Sequence, residues 1–445
     1  MADFAASSVP LVAVTAAVGA VVLLLVLLFG IGRNKEEKEE KEAEEEPPKT
    51  NGAVKEKPSG GSKKLKQQDR NKKETKFNFT HPWLANSLKG HSHPVLGFDM
   101  SPNGKYMAAC AEDRSVLIWT GKDFTKKDNK STRLNVELDH ATRVKFSPDN
   151  RALILSLYMD NTVRVMKMGK KADGTPGNFE TVKDFPKGHT TEILNIGIAS
   201  SGKFIMSCSK DTIIKVWDLK GEELAKIDTH QVNNWHAAVS PCGRFVASCG
   251  FTSDVKVWEV CFDKGGGYKE VTRAFELKGH SAGVYWFSFN ADSTRMASVS
   301  KDGTWKTWDT NIEYQKGQEP YLLKTGKFNH SGSARIALSP DSRTVALSSG
   351  SSLYIYNALR AELMQTIENV HSLPITGMLY DSHSQFLFTT GDKHIHVFHN
   401  VVGLKATIDD LKAKKKTATN QAQIEWLQQQ IDEAQSSLDL IPQSS

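Results

Sequence analysis

The stretches GRFVASCGFTSDVKVWEV (Gly243–Val260) and RMASVSKDGTWKTWDT (Arg295–Thr310) share one plan. An apolar run enters a short polar turn, and a second run of period two leaves it and closes on Trp258 or Trp308. Alternation places successive side chains on opposite faces of an extended chain, so each stretch reads as two antiparallel strands joined by a tight turn. The same plan recurs along most of the chain.

Aligned on a histidine, the copies fall into register. His91, His140, His189, His230, His280, His330 and His371 are separated by 49, 49, 41, 50, 50 and 41 residues. A turn position follows each after 20 to 22 residues: Asp113, Asp160, Asp211, Thr252, Asp302, Gly350 and Asp392. Six residues further on stands a large apolar side chain: Trp119, Met166, Trp217, Trp258, Trp308, Tyr356 and Phe398. Short strands at such a period predict an all-β, seven-bladed propeller. A single four-stranded blade cannot bury both faces, whereas radial packing buries each sheet against its neighbours.

Two units carry a fuller pattern that resembles the WD40-repeat family. It comprises Gly188-His189, Ser209, Asp211 and Trp217-Asp218, and again Gly279-His280, Ser300, Asp302 and Trp308-Asp309. The resemblance implies that His189, Ser209, Asp211 and Trp217, and likewise His280, Ser300, Asp302 and Trp308, form hydrogen-bonded tetrads. The chemistry suits this, because imidazole both donates and accepts and a buried indole N–H needs an acceptor. Ala111, Thr252 and Gly350 interrupt the pattern in units 1, 4 and 6, so units 3 and 5 are expected to be the stiffest. The same residues look like a hydrolase triad, but a catalytic site occurs once and this arrangement repeats. With no P-loop, HExxH or GxSxG motif, the chain reads as no enzyme.

Five cysteines without CxxC spacing fit neither a disulfide framework nor a zinc site. Cys110, Cys208 and Cys249 each stand three residues before a turn position and read as small buried strand residues. No cofactor, metal or small-molecule substrate is expected. The seventh unit supplies only three strands, so residues 77–89 are expected to add the fourth and close the ring. Beyond it, Leu404, Ile408 and Leu411, then Ile424, Leu427, Ile431 and Leu438, are spaced for helix faces. That predicts a short helical tail over 403–445, either packed on the propeller (77–402) or offered to a partner.

The other end is different. Residues 4–32 carry no charge and meet the ~20 apolar residues of a membrane-spanning helix, predicting an anchor over 9–32. Arg33, Lys35, Lys38 and Lys41 follow it and no basic residue precedes it. The charge rule therefore puts residues 1–8 in the lumen and the rest in the cytosol. Residues 33–76 are charged and nearly free of apolar side chains, which predicts a disordered linker. Its basic half, including Lys63, Lys64, Lys66, Arg70, Lys72 and Lys73, reads as a solvated spacer or as a contact for anionic lipid or RNA phosphates.

Longer stretches, among them NVELDHAT (135–142), SPCGRFVASCGFTSDVKVWEVCF (240–262) and PYLLKTGKF (320–328), closely resemble one WD40 protein in particular. That resemblance implies a scaffold of the endoplasmic-reticulum membrane. It also implies association with the ER-stress kinase acting on translation initiation factor 2 alpha, and support for stress-selective translation in the unfolded protein response. RNA bound through the basic linker is the alternative. Partners of propellers commonly sit around the channel mouth, where Arg143, Trp235, His236, Trp286 and Arg335 fall, and Trp and Arg are enriched in binding hot spots.

Overall fold

The computed structural model describes residues 79–121, 124–126, 130–172, 175–330 and 332–442, all within the unit Thr75–Ser445. The expected lumenal segment 1–8, anchor 9–32 and linker 33–76, with Lys63, Lys64, Lys66, Arg70, Lys72 and Lys73, lie outside the described residues. Among those residues no helix is long and apolar enough to cross a membrane.

Seven four-stranded antiparallel sheets follow one another as the blades of a propeller. Blades 1 to 6 occupy residues 95–135, 141–184, 193–228, 234–277, 284–327 and 334–367, each a meander whose first strand is innermost. Blade 7 takes three strands from 377–399 and its outermost from Leu84–Leu88, which pairs antiparallel with Ile395–His399. The N-terminal part of the propeller thus closes the ring. Thr376 Oγ1 donates to the Val95 carbonyl (2.7 Å), and Leu88, Phe388 and Val397 share a core with Met107 and Trp119 of blade 1.

The inner hairpin turns explain the recurring Ser-Pro. Ser101, Ser147, Ser240 and Ser339 accept from the backbone N–H five residues on, at 2.8 to 3.0 Å, which pins the turn that sends the second strand back. Gly243 closes one such turn at φ +74°, a conformation with little steric cost only for glycine.

Apolar residues of facing sheets fill the spaces between blades. Cys110 and Ile118 of blade 1, for example, cluster with Val144 and Leu155 of blade 2. Cys110, Cys208 and Cys249 are fully buried and unpaired, and burial pushes the Cys110 thiol up to about 12. They are packing residues.

Two helices complete the chain, α1 (Val401–Thr417) and α2 (Gln421–Asp439), capped by Asn400 and Asn420. They pack on the propeller as a hairpin. Ile408, Ile431 and Leu438 join Tyr380 and Phe398 of blade 7 in one cluster, and Arg343 Nε donates to Asp410 Oδ2 at 3.0 Å.

Candidate partner-binding face

The polar fasteners define which parts of the ring are framework. In blade 5 His280 Nδ1 lies 2.9 Å from Asp302 Oδ2, and His280 Nε2 lies 2.8 Å from Ser298 Oγ. Trp308 Nε1 donates to that same hydroxyl at 2.9 Å. Blade 3 repeats the bridge with His189, Ser207 and Trp217, at 2.6 and 2.8 Å. The hydroxyl expected at Ser209 and Ser300 is therefore supplied two residues earlier. A strand has period two, so both serines of each pair share a face, and the indole reaches the deeper one. Ser209 instead donates to Asp211 Oδ1 (2.6 Å), and Ser300 to the carbonyls of Ala282 and Gly283. Ser207 and Ser298 stand 18 residues after their histidines and Ser209 and Ser300 stand 20 after them, both constant, so spacing alone does not separate the pairs.

Burial pushes His189 down to about 4. It also raises Asp302, but hydrogen bonds from Thr304, the Ser281 N–H and His280 more than offset this and leave the carboxyl at about 2.

Other blades depart from the pattern. In blade 4 the histidine position belongs to Gln231, fully buried and bonded by Thr252 Oγ1, while His230 is exposed at φ +51°. Blade 2 stacks His140 on Tyr158, with centroids 4.7 Å apart, and blade 6 turns His330 Nε2 to the Ser300 carbonyl of blade 5, 3.2 Å away. Neither blade 2 nor blade 6 builds a histidine–hydroxyl–tryptophan bridge.

A second layer lies inside the ring. The innermost strands of blades 1 to 5 each shift register just before Gly97, Arg143, Asn195, His236 and Trp286. Such a bulge re-aims the side chain that follows it. Arg335 and Gly377 hold the matching places in blades 6 and 7. One tier of the central channel, a cavity of about 600 Å³, thus carries Arg143, His236 and Trp286, with Arg335 beside them.

Within that tier His236 stacks on Trp286 at 3.6 Å, and the Arg335 guanidinium lies 5.0 Å from the Trp286 centroid. Arg143 Nη1 donates to the carbonyls of Leu96 (2.9 Å) and Thr142 (2.7 Å), and Arg335 Nη1 to that of Ile375 (2.9 Å). Burial holds His236 well below its usual range, with Arg143, Arg335 and Lys145 acting in the same direction. It is a neutral ring. Burial, then the charge of Arg143, brings Arg335 down to about 10.

Trp235 is set apart from this tier. As the bulged residue it leaves the channel and stacks on Tyr285, its counterpart in blade 5, at 5.0 Å. Phe251 meets its edge at 6.4 Å, and His330 meets Tyr285 at 5.4 Å. This aromatic strip lies at the end of the ring that bears the seven turn positions. Leu138, Met159, Val232 and Phe251 are exposed at the same end, 59 to 93% accessible. Phe251 and Tyr285 carry no motif, and for Tyr285 the position of the bulge reveals it.

The fold and its repeating fasteners define a WD40 propeller, and comparison with known proteins agrees. Residues 82–120, 179–218, 221–259, 271–309 and 362–399 match the WD domain, G-beta repeat family. Those matches end in blades 1, 3, 4, 5 and 7, leaving out blades 2 and 6. The chain belongs to the WD40-repeat family. It is 52% identical over 385 residues to transducin beta-like protein 2 of Homo sapiens, covering 85% of this chain and 86% of that protein. The Mus musculus protein of the same name is 48% identical over 387 residues, covering 86% and 88%. WD repeat-containing protein 82 of Drosophila melanogaster is 24% identical over 138 residues, covering 31% and 39%.

Proposed function

We propose that this chain is a non-catalytic scaffold tethered to the endoplasmic-reticulum membrane, holding protein partners on the turn-bearing end of its propeller. One observation carries the reading: the exposed Phe251 and Val232 stand on that end beside the half-buried stack of Trp235 and Tyr285. Contiguous exposed apolar surface is costly in water and marks interaction sites. Tethering raises the local concentration of whatever is held there. The likeness to transducin beta-like protein 2 supports the choice of partner and place: the ER-stress kinase acting on translation initiation factor 2 alpha, engaged on the cytosolic side. RNA bound through Lys63, Lys64, Lys66, Arg70, Lys72 and Lys73 is the second reading, favoured by the basic excess there.

The test uses the full chain in microsomes. Protease should reach the propeller from outside, and Trp235→Ala with Phe251→Ala should abolish recovery of the kinase while leaving the melting temperature within a few degrees. A protected propeller, or unchanged recovery by the folded double variant, would sink the proposal. RNA recovery that falls steeply with salt and with the linker lysines replaced would favour the second reading instead.

A further inference from the structure

Arg143 and Arg335 stand in blades 2 and 6, on either side of blades 7 and 1. Their anchors are neighbours. Arg143 holds the Leu96 carbonyl, Arg335 holds the Ile375 carbonyl, and the adjoining residues Val95 and Thr376 are bonded to each other. The two guanidiniums therefore converge on the inner edge of blades 7 and 1. There the channel tier carries Gly97 and Gly377, which add no side chain of their own, and the Phe98 ring packs against Gly377. A Cβ on Gly97 would fall 3.3 Å from Arg143 Cδ, so glycine is what admits the arginine.

Among the described residues neither arginine makes an ion pair. Lys145 does, with Asp99 at 2.8 Å, and the acid that acts on Arg143 is the exposed Glu192, which it does not contact. Arg335 Nε is buried without a partner. Enclosed charge satisfied only by carbonyls is costly, and an oxyanion is the group that matches a guanidinium fork. Trp286 sits between His236 of blade 4 and Arg335 of blade 6, which occupies it and argues against a stacked nucleobase.

We propose that Arg143 and Arg335 form a receptor for one oxyanion, carboxylate or phosphate, on a side chain of a partner peptide entering the channel over Gly97 and Gly377. This rests on the scaffold reading and adds the chemistry of what the scaffold recognises.

The full chain in detergent micelles is titrated with a fluorescein-labelled Gly-phosphoserine-Gly tripeptide, with Gly-Glu-Gly and inorganic phosphate as competitors. Arg143→Gln and Arg335→Gln should each weaken binding by about ten- to a hundredfold, and Arg335→Lys by less, because lysine keeps charge without the fork. Circular dichroism checks folding, and Arg335→Lys serves if a glutamine variant does not fold. The tightest of the three probes tells whether a phosphorylated side chain, an acidic side chain or the free ion is preferred. Trp235→Ala should leave this binding unchanged while reducing recovery of partners, so the two readings fail separately. No binding of any probe by the folded wild-type chain overturns the receptor, as does binding indifferent to both arginines. Retention of a uridine dodecamer that depends on these arginines and is not displaced by the tripeptide overturns the peptide assignment.

Discussion

His91 and Trp119 face each other in blade 1 with ring centroids 6.0 Å apart, and among the described residues neither His91 Nε2 nor Trp119 Nε1 has a hydrogen-bond partner. Ala109 occupies the position where blades 3 and 5 place Ser207 and Ser298. Adding one hydroxyl there restores the bridge at almost no change in volume. Ala109→Ser should stabilise the propeller by about 1–2 kcal/mol, since a buried unmet polar group costs on that order. A rise in urea midpoint at constant slope is the measurement. An unchanged or lower midpoint would show that blade 1 satisfies these nitrogens otherwise.

The converse holds in blade 5. Ser298→Ala removes the one atom that both His280 and Trp308 use, leaving two buried polar groups unmet, at a cost of about 2–3 kcal/mol. Ser300→Ala leaves that bridge intact and should cost less, about 1 kcal/mol, because only contacts to the Ala282 and Gly283 carbonyls go. The order of the two melting temperatures decides which serine is the fastener.

Acid should loosen the ring in two stages. His189 is held neutral, its pKa about 4 against 6.5 when unfolded. Between those values the unfolded chain binds the extra proton, so stability falls as pH drops from 6.5 towards 4, by about 3 kcal/mol in full. Asp302 is depressed instead, to about 2 from 3.8, so its contribution is present above 3.8 and lost as pH falls through 2. Melting temperature followed from pH 7 to 4 should decline, and His189→Gln should flatten that slope while lowering the starting value. An equal slope in the variant would remove His189 from the account.

The C-terminal hairpin is part of the folded core. Ile431 is only 6% exposed and shares a cluster with Ile408, Tyr380 and Phe398. Ile431→Ala should cost about 2–4 kcal/mol, the range for a buried isoleucine that leaves a cavity. The exposed Trp426 on the same helix should tolerate alanine within about 0.5 kcal/mol. Equal tolerance at both positions would mean that the hairpin is dispensable for stability.

These elements differ in how far the sequence alone reveals them. The turn positions and the closing Trp, Met, Tyr or Phe are separated by a single extended strand, so their spacing survives in every blade, and all seven closing residues are buried. The histidine does not survive so well. It sits on a loop that can slip by one residue, which is how Gln231 comes to fill the place that His230 was expected to fill. Ser209 and Ser300 were indistinguishable from Ser207 and Ser298 because residues two apart share a strand face. Arg143, His236, Trp286 and Arg335 were visible as candidates. Their gathering in one tier, and the exclusion of Trp235 from it, depends on bulges that leave no mark in composition or period.

Gly97 tests whether that tier is built to tolerance. A Cβ there would lie 2.8 Å from the Thr142 carbonyl oxygen and 3.1 Å from Arg143 Cα, both backbone atoms of the neighbouring blade. Backbone cannot swing aside as a flexible side chain can, so blades 1 and 2 must separate to admit a methyl group. The Thr142 carbonyl is also an acceptor for Arg143 Nη1, so the displacement reaches the guanidinium directly. Gly97→Ala should cost about 1–3 kcal/mol, the usual range for overpacking. Gly202→Ala, with nothing within 4 Å but φ +67°, isolates the backbone cost of a methyl group, about 1 kcal/mol. If Gly97→Ala melts no lower than Gly202→Ala, the close approach of the two blades is not what glycine is there to permit.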